Sequence, residues 1–376
     1  MNIPFTKLVS QLPSSVPFVG PETLERQRGS TFAARIGANE SAFGISPRAI
    51  EAIQQAIAAN SSSSGCSWYG DPENHELRCL LADKHQVDPE EICVDAGIDS
   101  LLGLTVRMLI NPEDAVVTSL GAYPTFNYHV QGFGAALHTV PYKDFHEDIN
   151  GLIAKAADTR ARLVYLSNPD NPMGTSHSAS TVQTMIDNVP DGCILLLDEA
   201  YNEFAKSGLA PVIDTNNPQV IRYRTFSKAY GMAGMRIGYA IANAKLIEGF
   251  NKIRNHFAVN RLAQIAAVAS LRDETFLPHV LKQVQTGRER VYQMARELEL
   301  DYLESATNFV AVDTGNGDNT REILKQLGEQ GVFIRMPGIA PLDRYLRVGI
   351  GTDEEHATFE ASFSQLIKKH HPVADI

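Results

Sequence analysis

Short apolar runs that alternate with helical patterns set the strongest limit on how this chain can fold. The runs are apolar on both faces, and they lie at 92–94, 115–117, 163–166, 194–197, 220–221 and 237–241. Apolar runs of this kind, separated by helices, are typical of buried strands in a parallel sheet. The sequence therefore predicts an α/β fold with a mostly parallel central sheet.

The length of 376 residues predicts two lobes, because so long a chain does not fit one small core. Prolines and turn-forming residues over 1–45 predict an extended N-terminal arm that lies on a partner subunit. Residues 46–260 form the predicted large domain. Residues 261–376 form a predicted smaller α+β C-terminal domain, which starts with a long helix and ends with strands around 308–312 and 345–350.

The start of the predicted large domain carries a clear helical pattern. Isoleucine recurs at 50, 53 and 57, which is the spacing of one helix face. Ser46 stands where an N-cap is expected, so we expect a helix over 48–57.

Composition and charge exclude several kinds of partner. The formal net charge of −11 opposes attraction to nucleic acid, and no basic cluster reverses it locally. No apolar run approaches the length of a membrane span and no secretory signal is visible, so we expect a cytoplasmic protein that binds neither membranes nor nucleic acid. The cysteines lack the paired spacing of zinc or redox sites, which favours reduced structural thiols and no bound metal. These cysteines are Cys66, Cys79, Cys93 and Cys193.

Polar residues follow two of the predicted strands without a break. Leu166 leads into Ser167 and Asn168, and Leu197 leads into Asp198. In open α/β sheets, ligands bind beyond the carboxyl ends of the strands. These positions are therefore candidates for a binding site.

A segment with hydroxyl and small residues contains the candidate for covalent chemistry. Lys228 follows Thr225 and Ser227, and Arg236 stands a short distance further along the chain. A lysine amine can form a Schiff base with an aldehyde, while hydroxyl and guanidinium groups can hold a phosphate. On this segment alone, a surface lysine on a helix remains an open interpretation.

Asp198 ends a buried apolar run and shortly precedes Tyr201. A carboxylate at such a place is costly unless it meets a cation, and the protonated nitrogen of a pyridine cofactor is one such cation. Tyr201 could donate to the phenolic oxygen of the same ring. A structural salt bridge or a metal ligand would also explain Asp198.

A turn rich in proline follows the predicted strand at 163–166. Asn171 stands between Pro169 and Pro172, which would fix its backbone and direct its amide. A simple tight turn explains the same residues, so the segment alone does not establish a function.

Taken together, three motifs make the chain resemble the fold-type-I aminotransferases, which use pyridoxal phosphate (PLP). The motifs are the turn at 168–174, the strand end at 198–201 and the segment at 227–236. The resemblance covers nearly the whole chain and implies a three-layer PLP-transferase fold, PLP as the cofactor, and a homodimer with shared active sites. Within this superfamily the chain is most similar to the histidinol-phosphate aminotransferase group, through Asn39-Glu40, Tyr69-Gly70-Asp71-Pro72 and Arg347.

The resemblance implies a role for each matching residue at the cofactor. Lys228 would bind the aldehyde, Asp198 would pair with the ring nitrogen, and Asn171 and Tyr201 would contact the ring oxygen. Lys228, Asp198 and Tyr201 would carry the catalysis. The phosphate would be held by Gly97, Ile98, Asp99, Thr225, Ser227 and Arg236.

Further residues are implied at the edges of this site. Phe126 would stack on the cofactor ring, and Tyr69 would reach into the site of the neighbouring subunit. Arg347 would bind a substrate carboxylate, for which its planar donor fork is suited. Asn39 and Arg335 complete the expected substrate-binding set, with Arg335 and Arg347 as a dual grip for anions.

The expected reaction moves an amino group from an amine, which is histidinol phosphate in this group, to a keto acid such as 2-oxoglutarate. An aminotransferase for aromatic or other amino acids is an alternative, and so is a PLP decarboxylase or lyase on the same fold. A regulator with a silent catalytic fold would need a DNA-binding module, and the sequence offers neither a spare domain nor a basic helix.

Overall fold

The computed structural model describes residues 3–13, 19–58 and 65–370. Its α-helices, labelled α1 to α13 in chain order, are Lys7–Gln11, Pro21–Arg28, Pro47–Ala58, His75–His85, Ile98–Leu109, Pro124–Phe133, Ile149–Thr159, Ala179–Asp187, Ala244–Ile253, Arg261–Leu271, Phe276–Glu297, Gly317–Glu329 and Asp353–His370. Its strands, labelled β1 to β11, are Ala34–Arg35, Ile92–Asp95, Ala115–Ser119, Ala136–Val140, Leu163–Ser167, Ile194–Asp198, Val220–Thr225, Gly238–Ala242, Phe309–Asp313, Val332–Phe333 and Tyr345–Gly349.

The described residues form a central seven-stranded sheet in the order β2-β8-β7-β6-β5-β3-β4. Strands β7, β6, β5, β3 and β4 are parallel, whereas β8 runs antiparallel to both of its neighbours. Every apolar run of the sequence overlaps one of these strands. The predicted α/β fold with a mostly parallel sheet is confirmed.

Alternate residues of the central strands pack into two separate cores, one on each face of the sheet. Leu163 and Tyr165 of β5 pack with residues of α5, α6 and α9. Val164 and Leu166 of the same strand pack with residues of α7 and α8 on the other face. Because helices cover both faces, β5 and β6 are apolar over most of their length, which is why they appear in the sequence as continuous runs.

The predicted helix over 48–57 lies within α3. Ser46 Oγ accepts hydrogen bonds from the backbone N–H groups of Arg48, at 3.1 Å, and Ala49, at 3.4 Å, as an N-cap residue does. Two of the isoleucines that define the helix face, Ile50 and Ile57, are nevertheless exposed. The described residues of the same chain therefore cover this apolar face only in part, since Ile53 packs against a core while Ile50 and Ile57 do not.

A further core lies between the C-terminal helices and two small sheets. β9 and β11 form an antiparallel pair, and β1 pairs in parallel with β10. Ala34 and Ile36 are buried in this core, so residues near 34–36 pack with the C-terminal part rather than extending away as an arm. The described part of the predicted extended arm also contains the helices α1 and α2, while residues 1–2 and 14–18 of that prediction lie outside the described residues.

Helix α10 packs with the larger part of the chain. Its residues Ala263, Ala266 and Ala267 share a core with Val94 of β2 and with Phe226. We therefore propose that the large domain includes α10 and that the small domain begins after it, instead of at residue 261.

Within the described ranges, no helix is both long and apolar enough to cross a membrane. The same part of the chain holds no group of His, Cys, Asp and Glu side chains arranged to bind a metal ion.

Candidate active site

Asp198 lies at the carboxyl end of β6, near the middle of the sheet, and is 4% exposed. Its Oδ2 accepts a hydrogen bond from the Tyr165 hydroxyl at 2.7 Å, and its Oδ1 accepts from the Ala200 N–H at 3.0 Å. Burial raises the pKa of Asp198 to about 6, and the nearby acids Asp99 and Glu199 add to this effect. A buried carboxyl group in this setting is stabilised by a cation, which the described neighbours do not supply.

Lys228 follows β7, the strand next to β6, and is half-buried. Its Nζ donates to the backbone oxygen of Asn39 at 3.3 Å and lies 5.6 Å from the centroid of the Tyr201 ring. The amine is therefore held at the same end of the sheet as Asp198, without a carboxylate partner among the described residues.

Asn39 contacts both Tyr201 and Arg347. Its φ of 56° places its backbone in the left-handed region. Its Nδ2 donates to the Tyr201 hydroxyl at 2.9 Å, and its Oδ1 accepts from Arg347 Nη2 at 3.4 Å. Asn308 donates to its backbone oxygen at 3.2 Å. A left-handed backbone suits asparagine better than most residues, so the conformation that directs this side chain costs little here.

Two arginines lie opposite each other at the middle of β11. Arg347 and Arg335 form an antiparallel bridge, in which the Arg347 N–H donates to the Arg335 oxygen at 2.8 Å. Arg347 Nη1 donates to Asn171 Oδ1 at 2.6 Å, and Arg335 Nη2 donates to the Val19 oxygen at 2.8 Å. Burial lowers the pKa of Arg347, and the charge of Arg335 lowers it further. A bound anion would relieve this repulsion.

The N-terminus of α5 and an arginine form a place suited to a phosphate. Gly97 is the N-cap of α5 with a φ of 87°, and a Cβ atom there would lie 2.8 Å from Arg236 Nη2. Arg236 Nη2 also lies 3.4 Å from Asp99 Oδ2, and both side chains are partly exposed. Helix N-terminal amides and a guanidinium group together favour an anion.

Thr225 and Ser227 lie beside this helix end. Thr225 pairs with Gly238 across β7 and β8, and a Cβ atom on Gly238 would lie 3.1 Å from the Ile98 nitrogen. The Thr225 hydroxyl accepts from the Ser227 N–H at 3.0 Å, and both residues are buried. The close approach at Gly238 thus brings the hydroxyl pair next to the start of α5.

The structure therefore brings most of the predicted site residues together at one end of the sheet. The residues connected in this way are Asn39, Gly97, Ile98, Asp99, Asn171, Asp198, Tyr201, Thr225, Ser227, Lys228, Arg236, Arg335 and Arg347. Two predicted site residues, Tyr69 and Phe126, are not part of this connected group.

Tyr69 lies on the surface of its own chain. Its side chain is 76% exposed, and its ring packs against Phe257 with 4.6 Å between the ring centroids. This contact does not join Tyr69 to the site residues named above.

Phe126 has no exposed surface, and its ring stacks on Tyr165 with 4.9 Å between centroids. Stacking on a cofactor requires an accessible ring face, and the structure leaves none on Phe126. The half-buried Tyr123, whose hydroxyl donates to Asp99 at 3.0 Å, is an aromatic residue beside the start of α5 with accessible surface. The predicted role of Phe126 stays a prediction, with Tyr123 as the alternative.

Sequence reasoning did not identify Tyr123 or Tyr165 as site residues. Tyr123 immediately precedes α6 after the end of β3, which is a strand-end position of the kind that pointed to Asp198. Tyr165 lies inside the apolar run of β5, where nothing in the sequence distinguishes it from a core residue.

The residues present fit a pyridine cofactor with an aldehyde and a phosphate. Asp198 is a buried carboxyl group with no cation beside it among the described residues, and a pyridine nitrogen would supply one. Lys228 supplies an amine for the aldehyde. The start of α5, together with Arg236, suits the phosphate dianion. These three features lie at the same end of the sheet, as one cofactor with three such groups requires.

Comparison with known proteins agrees with this arrangement. The sequence profile of the family described as "Aminotransferase class I and II" matches residues 34–359. Histidinol-phosphate aminotransferase 2 of Carboxydothermus hydrogenoformans is 33% identical over 359 residues, which are 94% of this chain and 96% of that protein. The crystal structure of histidinol-phosphate aminotransferase from Sinorhizobium meliloti in complex with pyridoxal-5'-phosphate is 44% identical, with a TM-score of 0.93 over 99% of both chains.

A single mutant of the Thermus thermophilus aspartate aminotransferase shares the fold alone, at 20% identity and a TM-score of 0.81. This similarity covers 96% of the present chain and 99% of the other.

The chain belongs to the class I and II aminotransferase family. Members of this family depend on PLP, so the protein is a PLP-dependent aminotransferase, or transaminase, that acts on small molecules. The predicted three-layer fold class, cofactor and reaction class are confirmed.

Proposed function

We propose that this aminotransferase moves the amino group of histidinol phosphate to a 2-keto acid such as 2-oxoglutarate. The proposal is carried by the direct opposition of Arg335 and Arg347 next to Asn171. Histidinol phosphate has a phosphate and no carboxylate, while 2-oxoglutarate has two carboxylates. Two neighbouring guanidinium groups suit both anions at one site. The names of the relatives support the same substrate.

A spectroscopic half-reaction screen tests this proposal. Amines are added one at a time to the PLP-loaded enzyme, with histidinol phosphate and aromatic amino acids included, and the loss of the cofactor's visible absorbance is followed. Several keto acids are then tested for its recovery. An enzyme that ignores histidinol phosphate but responds to an aromatic amino acid would move the assignment to the general amino-acid aminotransferases. Turnover without any keto acid would indicate a decarboxylase or lyase.

In the proposed mechanism, the residues around the cofactor hold it in one orientation. The amides of Gly97 and Ile98 would bind its phosphate, together with side chains that converge there. These side chains belong to Asp99, Thr225, Ser227 and Arg236. Since Asp99 is itself acidic, its contribution would come from the backbone N–H at the start of α5 and from its ion pair with Arg236.

Proton movement is assigned to Lys228. When bound, PLP supplies an aldehyde that accepts the amino group and a ring that withdraws electrons from the substrate. The Lys228 amine would act as the base that takes the proton from the substrate Cα and later gives it back. Asp198 would hold a negative charge beside the ring nitrogen, and Tyr201 and Asn171 would donate to the ring oxygen.

Arg335 is the residue for which we expect a substrate-selective effect. Arg335→Ala should weaken binding of histidinol phosphate and 2-oxoglutarate by about 2–5 kcal/mol, since a desolvated contact to an anion is lost. An amine with a neutral side chain, such as phenylalanine, should be affected much less if the enzyme accepts it. The measurement is the dissociation constant for each substrate in single half reactions.

Arg321 offers a matched control for this substitution, because it is an exposed arginine whose partners, Asp318 and Asp343, are not among the predicted site residues. Arg321→Ala should leave all dissociation constants close to those of the wild type. Equal losses for the three substrates in Arg335→Ala would remove Arg335 from the group of residues that recognise the anion.

We further propose a homodimer in which each subunit completes the site of the other. Ile50 and Ile57 are exposed on α3, and the exposed rings of Tyr69 and Phe257 pack together nearby. A cavity of about 540 Å³ lies between α3, α10 and the segment at 70–77. A second copy would cover these exposed apolar side chains and the cavity beside them.

Complementation between subunits tests the role of Tyr69. Lys228→Ala and Tyr69→Phe subunits should each be inactive alone, and mixing them should restore part of the activity. In a mixed dimer, one site contains neither substitution if Tyr69 acts in the partner's site. Subunit exchange is verified with differently tagged chains. If confirmed exchange gives no recovery, Tyr69 acts within its own chain or not at all.

We also place the enzyme in the cytoplasm, without a nucleic-acid partner. All cysteines are free, as is usual in a reducing compartment. The net charge of −11 opposes binding to nucleic acid.

A further inference from the structure

A pair of buried carboxyl groups lies behind the turn that carries Asn171. Glu147 is 2% exposed and Asp170 is 3% exposed, and the two side chains lie within hydrogen-bonding reach of each other. The proposed mechanism uses neither residue. Two adjacent buried carboxyl groups cannot both be ionised without a large cost, so one of them holds a proton at neutral pH.

The surroundings of Glu147 favour its protonated form. Glu147 accepts hydrogen bonds from the Ser119 hydroxyl, at 2.5 Å, and from the Ser167 N–H, at 2.8 Å. Burial raises the pKa of Glu147 well above its usual range, and the charges of Asp170 and Asp198 raise it further. The two donors offset this only in part.

Compared with Glu147, Asp170 has surroundings that favour the ionised form of its carboxyl group. Asp170 accepts from the Met173 N–H, at 2.9 Å, and from the Tyr142 hydroxyl, at 2.8 Å. Burial raises the pKa of Asp170 to about 7, while these donors, Arg347 and Glu147 all act to lower it. The difference in surroundings favours Asp170 as the member of the pair that carries the negative charge, with Glu147 as the member that holds the proton and donates a hydrogen bond to Asp170.

The segment at 142–147 makes further contacts with the turn that carries Asn171. Thr175 Oγ1 donates to the Phe145 oxygen at 3.1 Å, and a ring nitrogen of His177 lies 2.8 Å from the backbone oxygen of Glu147. The segment at 142–147 thus contacts the turn at several points on either side of Asn171. Arg347 in turn donates to Asn171, so a shift of the turn would reach the guanidinium group directly.

We infer that Glu147 and Asp170 form a carboxyl pair that shares one proton and positions Asn171 and Arg347 for the substrate carboxylate. The inference rests on the proposed role of Arg347 as the carboxylate-binding residue. The direct acceptors of Arg347 are the amide oxygens of Asn171 and Asn39, which are neutral. The single negative charge of the carboxyl pair stabilises the positive charge of Arg347 through space. The pair does not accept hydrogen bonds from Arg347, so it leaves the guanidinium N–H groups to the amides and the substrate.

Substitutions of Glu147 test this inference. Glu147→Gln keeps the size and a hydrogen-bond donor, so its KM for 2-oxoglutarate and its kcat should stay within about twofold of the wild type. Glu147→Ala leaves Asp170 without its donor, and its KM for 2-oxoglutarate should rise roughly tenfold, with a smaller change in kcat. Asp158→Asn, an exposed acid on α7, serves as the control.

An infrared measurement tests the shared proton independently of activity. The wild type at neutral pH should show the band of a protonated carboxyl group, and Glu147→Gln should lack it. This result does not depend on which amine the enzyme accepts, so it separates the inference from the proposed function. The inference is overturned if the band persists in Glu147→Gln, if Glu147→Gln is as impaired as Glu147→Ala, or if a folded Glu147→Ala keeps its KM.

Discussion

Lys228→Ala is expected to abolish the covalent attachment of PLP and, with it, transamination. The Lys228 amine is held at the carboxyl end of the sheet by the Asn39 oxygen, next to the Tyr201 ring. Loss of its proton transfer alone should lower the rate by about a hundredfold to ten-thousandfold, and loss of the covalent bond should add to this. After treatment with borohydride, mass spectrometry should find the cofactor attached to the wild type and not to the variant.

Two further variants separate the covalent role of Lys228 from its charge. Lys228→Arg keeps a positive charge but cannot form the bond, so it should be as unlabelled and inactive as Lys228→Ala. Lys245→Ala removes an exposed lysine at the start of α9 and should behave like the wild type. A Lys228→Ala protein that still acquires the label at full occupancy would show that another lysine binds the cofactor.

The central sheet was predictable because its strands are buried on both faces. Runs such as 163–166 and 194–197 show this directly in their composition. The strand β4 was missed, because it lies at the edge of the sheet and only Val140 of its residues Ala136–Val140 is buried. An edge strand is short of apolar residues on one face, so its sequence is hard to distinguish from a loop.

The domain boundary was harder to predict, because it depends on which core a helix packs against. Helix α10 is apolar in sequence, but only the structure shows its alanines against Val94 and Phe226 of the large domain. β1 similarly packs with β10, which is distant in sequence. Contacts between distant segments of this kind have no local signal.

The site itself was predictable at the strand ends and less so at its edges. Lys228 and Asp198 stand where buried strands stop, which the sequence shows. The contact of Asn39 with Tyr201 and Arg347 joins residues from three distant parts of the chain. The contribution of Tyr69 depends on a second chain, so neither one sequence nor one subunit can establish it.

Asp198→Ala is expected to slow proton removal from the substrate by several powers of ten while the fold is retained. Asp198 is buried, and the charges that act on it are those of other acids. In the absence of a cation, burial raises the pKa of Asp198 to about 6. A protonated ring nitrogen beside it would act in the opposite direction and hold the carboxylate ionised at neutral pH. Removing one partner of such a buried pair costs about 3–5 kcal/mol, which corresponds to roughly a hundredfold to several thousandfold in rate.

The Asn variant decides whether this effect is electrostatic. Asp198→Asn retains an acceptor for the Tyr165 hydroxyl and the shape of the side chain, but it cannot carry a negative charge. It should therefore be nearly as slow as Asp198→Ala, whereas Asp191→Asn, on the exposed loop before β6, should be as fast as the wild type. The measurement is the exchange of the substrate Cα proton with solvent deuterium, followed by NMR, and circular dichroism monitors the fold. Near-normal exchange in Asp198→Asn would mean that the charge of Asp198 does not act on the ring nitrogen, and that its buried position serves the hydrogen bond with Tyr165 instead.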